Sequence, residues 1–457
     1  MNDNERRMRV PLPALLLISA ALGGCVQVPT IPEAPAVDKA AELQVAGARG
    51  PLSQRAANAV LKRLAAQAPD AGALERHIAI EQSVAGTPLF TGNRVSILRD
   101  GEASFSAIFA AIHAAQRYLY LEYYTLEDIQ SGEEHLGDLL IERQSQGVQV
   151  TVLYDSVGSI ATSHEFFDRL AAAGIHVQAF NPLNPLTPHF AINDRDHRKL
   201  LLADDRLGII GGVNLSTSYQ SAARSAGEPW HDTDLQIEGP AVGQLKALFD
   251  AHWRQQGGDA AALAADSEVG GAQGDQVVRI IGSQAGGRLS PRYYATLLSS
   301  IRSAESSIEV TAAYFAPTIQ ESQALLRAAR RGVHVRLLLP AHSDSPPALA
   351  VQRSHYESML KAGVQIYERE DGILHSKMVI TDGVWSIIGS SNFDHRSVLF
   401  NDEIDAVVIG SRTGAALEGY FEQGLQHAQH IDADRWEQRS VGERLREKFW
   451  RLWETLL

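Results

Sequence analysis

Two short stretches of the chain carry the same reactive set. His197, Lys199 and Asp204 stand in the pattern H-x-K-x-x-x-x-D, and His375, Lys377 and Asp382 repeat it. Each pattern is followed by Gly-x-x-Asn, ending at Asn214 and at Asn392. An imidazole, an ammonium and a carboxamide together suit a phosphodiester. Lysine offers a compact positive charge and asparagine offers donors to phosphoryl oxygens, where charge develops in the transition state. Histidine can attack phosphorus or move a proton near neutral pH. Two histidines can divide those tasks: one forms a phosphohistidine, and the other protonates the leaving alcohol and then activates the acceptor.

The neighbouring residues predict how this set is positioned. Lys199 to Ala203 and Lys377 to Thr381 are apolar, strand-like runs, and Arg206 to Ile210 and Val384 to Ile388 read as return strands. Asp204-Asp205 and Asp382-Gly383 supply the turns between them. Residues two apart on a strand share a face, so each histidine projects with its lysine. The return strands end at the glycine-rich turns that carry Asn214 and Asn392. Asp204 and Asp382 belong to the motif and are grouped with its catalytic residues, but they also sit where a hairpin turn favours aspartate.

The repetition extends beyond the motif. Ile112 to Leu121 matches Ile301 to Val310, and Gly147 to Leu153 matches Gly332 to Leu338. The order is the same in both copies, with strands alternating with helices, which predicts a duplicated α/β domain. The expected divisions are a leader over 1–24, a spacer with a helical segment over 25–92 and a first domain over 93–255. A linker over 256–276, a second domain over 277–430 and a C-terminal amphipathic helix over 431–457 complete the chain.

Composition narrows the function. The 457 residues are 45 % hydrophobic and 21 % charged, a globular balance that excludes a disordered or fibrous chain. The net charge is −13, from 54 acidic against 41 basic residues, which counts against a dedicated nucleic-acid binder. The single cysteine, Cys25, excludes a disulfide framework and a cysteine-ligated metal site.

The duplicated motif with its Gly-x-x-Asn resembles the phospholipase D superfamily, and the surrounding words resemble its bacterial cardiolipin synthase branch. Those words are Asp194-Arg-Asp-His-Arg-Lys199, Trp230-His-Asp-Thr-Asp-Leu-Gln-Ile-Glu-Gly-Pro240, Ala313-Tyr-Phe-Ala-Pro317 and Asn392-Phe-Asp-His-Arg-Ser397. The resemblance runs from about Asn93 to the C-terminus. It implies two tandem phospholipase D-like domains, each a mixed β-sheet flanked by helices, packed as a pseudo-twofold pair with one site at their interface. It also implies chemistry without metal or other cofactor. His197 would be the nucleophile and His375 the general acid/base, a symmetry that the sequence itself leaves open. Lys199, Lys377, Asn214 and Asn392 would hold the phosphate. Asp232 and Glu403, the acids beyond each asparagine, would orient the histidines.

The implied substrates are phospholipids, phosphatidylglycerol first and phosphatidylethanolamine second, with no nucleic acid and no obligate protein partner. Transfer of a phosphatidyl group to a second phosphatidylglycerol would make cardiolipin. Hydrolysis to phosphatidic acid is the alternative, and a periplasmic phosphodiesterase or nuclease is the more remote one.

Arg6, Arg7 and Arg9 precede a short apolar run, Val10 to Leu22, that reads as a secretory signal. Its ending, Leu22-Gly-Gly-Cys25, resembles the bacterial lipoprotein signal, with an ordinary signal peptide or an uncleaved anchor as alternatives. A lipidated Cys25 would tether a periplasm-facing body to the membrane surface, and Val26 after it points to the outer membrane. At the other end Val441, Leu445, Phe449, Leu452, Trp453 and Leu456 recur at helical spacing among Arg and Lys. The expectation is that this stripe packs on its own domain, a membrane surface being the alternative.

Overall fold

A computed structural model describes residues 28–32, 44–68, 70–84, 86–183, 193–220, 228–265, 270–285 and 292–456. The first copy is a mixed sheet of β1 (Leu89–Arg99), β2 (Tyr118–Tyr123), β3 (Gln149–Asp155), β4 (His176–Phe180), β5 (Lys199–Ala203), β6 (Leu207–Gly211) and β7 (Thr233–Glu238). Its order is β1-β7-β6-β5-β2-β3-β4; the pairs from β1 to β2 are antiparallel, and β2-β3 and β3-β4 are parallel. The second copy repeats this with β8 (Gln276–Ser283), β9 (Ser307–Thr311), β10 (His334–Pro340), β11 (Gln365–Arg369), β12 (Met378–Thr381), β13 (Trp385–Gly389) and β14 (Asn401–Ile409). Its order is β8-β14-β13-β12-β9-β10-β11, strand for strand the same, with an added edge strand β15 (Ala428–His430). The equivalent strands β1 and β8 pair antiparallel, which joins the copies across a pseudo-twofold axis.

Alternation along the strands divides the core. Leu200, Leu202, Ile210 and Leu235 of the first sheet share one cluster with Ile380, Ile388, Ile404 and Val408 of the second. Helices α6 (Val242–Gln255) and α12 (Ser411–Leu425) complete that cluster with Phe249, Leu417 and Phe421. The opposite face of the first sheet, Leu201, Ala203 and Ile209, lies under α3 (Asp100–Ala114), α4 (Leu136–Ser145) and α5 (His164–Ala172). The opposite face of the second, Val379, Ile387 and Val407, lies under α7 (Arg292–Ser303) and α8 (Ile319–Arg330). Each fully buried Leu or Ile here is worth about 1.5–3 kcal/mol, so the shared cluster binds the two copies firmly.

Several expected boundaries shift. The N-terminal segment folds onto the second copy: α1 (Gln54–Gln67) and α2 (Ala71–Val84) contribute Ala57, Leu64 and Leu74 to its core. Residues 28–32, expected in the spacer, dock there too, with Arg302 Nη1 donating to the Pro32 carbonyl at 2.7 Å. The linker is packed rather than free over its first half, where Thr151 Oγ1 donates to the carbonyl of buried Ala262 at 2.6 Å. After α9 (Pro346–Ser354), α10 (Tyr356–Lys361) and α11 (His395–Leu399) the C-terminal region forms α13 (Ala433–Glu437) and α14 (Val441–Arg451). Here the expected packing fails: Val441, Leu445, Phe449 and Leu452 are exposed, while Glu447 is buried. The leader 1–24, Cys25 and most of the proline-rich stretch Asn181–Pro188 lie outside the described residues.

Asp204 and Asp382 also need correcting as catalytic residues. Each takes the left-handed conformation that closes its hairpin, with φ of 54° and 51°. The Asp204 carboxylate accepts the amides of Gln116, Arg117 and Tyr118, at 2.8 Å for Arg117. Asp382 accepts those of Glu305, Ser306 and Ser307, at 2.8 Å for Ser306, and faces His77 Nε2 at 3.1 Å. Five residues of strand, about 16 Å, separate each aspartate from its motif lysine. Their work is to satisfy the amides that lead into β2 and β9. Although burial opposes it, hydrogen bonds from His77 and Ser306 hold the Asp382 carboxyl well below the usual range.

Removing that acceptor strands buried donors, so Asp204→Ala should lower stability by about 2–4 kcal/mol. Asp204→Asn, which keeps one acceptor and tolerates the turn, should lose less. Urea denaturation of the two variants checks this; equal stability of Asp204→Ala and the parent would contradict it.

Candidate active site

The site is built where each copy reaches into the other. Arg195–Asp196, just before the first motif, pairs in parallel with Asn401–Asp402 at the start of β14. Trp230–His231, just before β7, pairs in parallel with Ile373–Leu374, just before the second motif. His197 N donates to the Asp402 carbonyl at 2.9 Å, and His375 N donates to the His231 carbonyl at 2.7 Å. These two short crossings bring each histidine beside the acid of the opposite copy. His197 Nδ1 is 3.0 Å from Glu403 Oε2, and His375 Nδ1 is 2.7 Å from Asp232 Oδ2. Both acids are wholly buried. With Nδ1 engaged by carboxylate, Nε2 is left to face a reacting group.

The glycine of each Gly-x-x-Asn has a steric cause. Gly211 and Gly389 lie against Asp234 and Asp405, whose Oδ1 atoms would stand 2.2 Å from a Cβ at either glycine. Asp234 accepts the Val213 amide at 3.1 Å, and Asp405 accepts the Ser391 hydroxyl at 2.6 Å. Burial lifts Asp234 to about 7 and Asp405 to about 8, so both are partly protonated near neutrality. They hold the turns that present Asn214 and Asn392. Their signal lay in the mirrored spacing Asp232-x-Asp234 and Glu403-x-Asp405, two residues apart on one strand face.

His197, His375, Asn214 and Asn392 line a single cavity of about 390 Å³, with Tyr124 and Tyr314 also on its wall. Lys199 Nζ donates to the His197 carbonyl at 2.6 Å and lies 5.3 Å from the Tyr124 ring centre. Lys377 Nζ stands 2.6 Å from His375 Nδ1 and 3.7 Å from Asp232. Burial draws the Lys199 ammonium down to about 7, against the pull of Glu403. It lowers Lys377 as well, with Asp232 opposing. Burial and the two lysines together push His197 well below its ordinary value, and burial and Lys377 lower His375 while Asp232 counters. Burial raises Glu403 to about 7. Buried cations held this loosely favour an anionic occupant, because its charge replaces the water they have lost.

Several residues of the site were not singled out from the sequence. Tyr219 places its hydroxyl 2.8 Å from His375 Nδ1, and the Trp230 ring lies 5.0 Å from that imidazole. Ser390, Ser397 and Asn401 all donate to Glu403, at 2.5, 2.8 and 3.1 Å. Behind the site Arg198 bonds Glu122 at 3.1 Å and the carbonyls of Glu403 and Ser283. Glu122 and Asp402 hold the buried His252 imidazole up to about 10 against the cost of its burial. That network ties the first copy to the second through charge.

The sequence matches the family described as "Cardiolipin synthase, PLD-like domain" over residues 108–253 and 297–425. It is 34 % identical over 383 residues to the cardiolipin synthase of Geobacillus kaustophilus, covering 81 % of this chain and 74 % of that one. It is 30 % identical over 373 residues to the probable cardiolipin synthase YwiE of Bacillus subtilis, covering 80 % and 73 %. The crystal structure of phosphatidylserine synthase from Haemophilus influenzae shares the fold at a TM-score of 0.65 with 13 % identity, over 84 % of this chain and all of that one.

The protonation pattern makes anion binding pH-dependent in a stated sense. Tungstate is a dianion across pH 6–9, so its affinity should fall as pH rises through about 7 and Lys199 gives up its proton. Glu403 supports that proton, and Glu403→Gln should move the fall to lower pH. Calorimetric titration reads both; an affinity flat over this range would refute the assignment.

Proposed function

The chain belongs to the cardiolipin synthase family of phospholipase D-like proteins, and from that premise we propose that it is a phosphatidyltransferase that converts two phosphatidylglycerols into cardiolipin and glycerol. The observation that carries the reading is the pair of crossed histidine–carboxylate contacts, 3.0 and 2.7 Å, facing one cavity beside two buried lysines.

His197 Nε2 attacks the phosphorus of the first phosphatidylglycerol, and the bond from phosphorus to the headgroup glycerol oxygen breaks. Depression of the His197 pKa keeps its ring neutral and nucleophilic. His375 gives its proton to the departing glycerol oxygen, and Asp232 stabilises the protonated ring before that transfer. Lys199, Lys377, Asn214 and Asn392 bear the charge of the phosphoryl oxygens through both steps. The glycerol hydroxyl of the second phosphatidylglycerol then loses its proton to His375 and attacks phosphorus. The phosphorus–nitrogen bond breaks, which releases cardiolipin and restores both histidines.

Among the described residues no helix is long and apolar enough to cross a membrane. We infer that lipidated Cys25 tethers the body as an envelope lipoprotein, with the outer membrane as its destination. The spacing of Cys25 after Leu22-Gly-Gly supports this tether.

Incubation of the purified protein with phosphatidylglycerol should yield cardiolipin by mass spectrometry; phosphatidic acid instead would make water the acceptor. Rapid quenching of the parent in denaturant during turnover should trap a phosphatidyl adduct on the peptide holding His197. The His375→Ala variant lacks both the acid of the first step and the base of the second, so it should form adduct and cardiolipin far more slowly. The His197→Ala variant should carry none, and an adduct on His375 would reverse the two roles. Cys25→Ser should leave turnover intact but release the protein from the membrane fraction on cell breakage; unchanged retention would refute the tether.

A further inference from the structure

Helix α14 is amphipathic in the inverse of the usual sense. Its capping box, Ser440 with Glu443, fixes its start, and its polar side turns inward. Glu447 is buried and bonded by Arg439 at 3.3 Å, and Trp450 is partly covered. Beyond its end Glu454 bonds His355 at 2.5 Å, and Arg451 reaches the Ser354 carbonyl at 3.5 Å. The apolar side turns outward: Val441, Leu445, Phe449 and Leu452 are 73, 62, 54 and 78 % exposed. At about 3.6 residues per turn these four form one stripe. Lys448 lies within that stripe and Arg446 and Arg451 flank it, all three exposed. A soluble surface rarely presents such a stripe without something to cover it.

We propose that α14 is an interfacial membrane helix, which lies flat in an anionic phospholipid bilayer and holds the cavity mouth against it. The charge pattern selects this occupant. The cations at the margins of the apolar stripe match anionic headgroups around a hydrocarbon boundary. Position supports it as well. Helix α14 packs on α9, and the turn after it packs on α11. The first residues of α9 and α11 line the cavity, through Ser345 and Ala348 and through Asp394 and Arg396. Ile319, 75 % exposed, stands three residues beyond Ala316 of the cavity wall. A bilayer seated on α14 therefore lies beside the opening through which a phospholipid headgroup enters. The role in substrate delivery rests on the proposed function; the insertion itself does not.

A fluorescent label reports insertion directly and separately from any N-terminal tether. In the full chain with Cys25→Ser, an environment-sensitive label is placed on Phe449→Cys, and a reference label on Ser145→Cys at the exposed end of α4. Vesicles of phosphatidylglycerol and phosphatidylcholine should shift the first label to the blue. Brominated lipid should quench it, less so at high salt, while the reference label stays unchanged. No response at 449 while the protein is vesicle-bound would overturn the proposal. So would a blue shift that follows protein concentration without lipid, which would make a second copy the occupant. The double variant Leu445→Glu with Phe449→Glu should lower turnover of vesicle phosphatidylglycerol by about tenfold or more, and leave turnover in detergent micelles unchanged. Equal losses in vesicles and micelles would also overturn it. Absence of turnover by the parent in both media would instead refute the proposed function and leave the label result standing.

Discussion

Everything in the site depends on two carboxylates that each copy lends to the histidine of the other. Asp232 and Glu403 are wholly buried, and a buried carboxylate without a partner costs several kcal/mol or more. Each has its histidine partner across the interface, at His375 and at His197. Neither histidine has its carboxylate within its own copy, so the duplicated domain is one functional unit rather than two. The shared core and the Arg198–Glu122–His252–Asp402 network meet the same demand, since they fix the copies closely enough for hydrogen bonds to form across them.

Burial also sets the electrostatics. Lys199 and Lys377 are removed from water and confined near imidazoles, and their hold on a proton is weakened. An empty site is therefore short of negative charge. A phosphodiester entering the cavity supplies it, and the gain grows as charge develops on the phosphoryl oxygens. The chain as a whole is acidic at −13, yet the cavity selects anions because its cations are buried and its solvent is displaced.

Local pattern made the hairpins and the repeat legible. The apolar run Leu200 to Ala203 ends on an aspartate that accepts a positive φ, and the same grammar recurs at Met378 to Asp382. The crossings were not legible, because His197 and Glu403 lie 206 residues apart and no local period records their contact. Motif membership also misled at Asp204 and Asp382, whose carboxylates serve backbone amides at the far end of the strand. At α14 periodicity located the stripe correctly. It could not say which face would be covered, since Glu447 and Glu454 turned out to have better partners inside than the leucines did.

The copies differ where a division of labour requires it. Glu403 receives Ser390, Ser397 and Asn401, whose hydrogen bonds offset part of the cost of burying its charge. At Asp232 the equivalent turn carries Gly212 where the second copy has Ser390, and a Cβ there would stand 2.1 Å from the Asp232 Oδ1. Its contacts are the Thr233 amide, Lys377 and His375 itself. Burial and the two lysines push His197 well below its ordinary value, while Asp232 counters the fall at His375. The exchange of glycine for serine at equivalent turns thus gives the two buried acids different surroundings within an otherwise symmetric frame. That asymmetry is in keeping with the proposed division between nucleophile and acid.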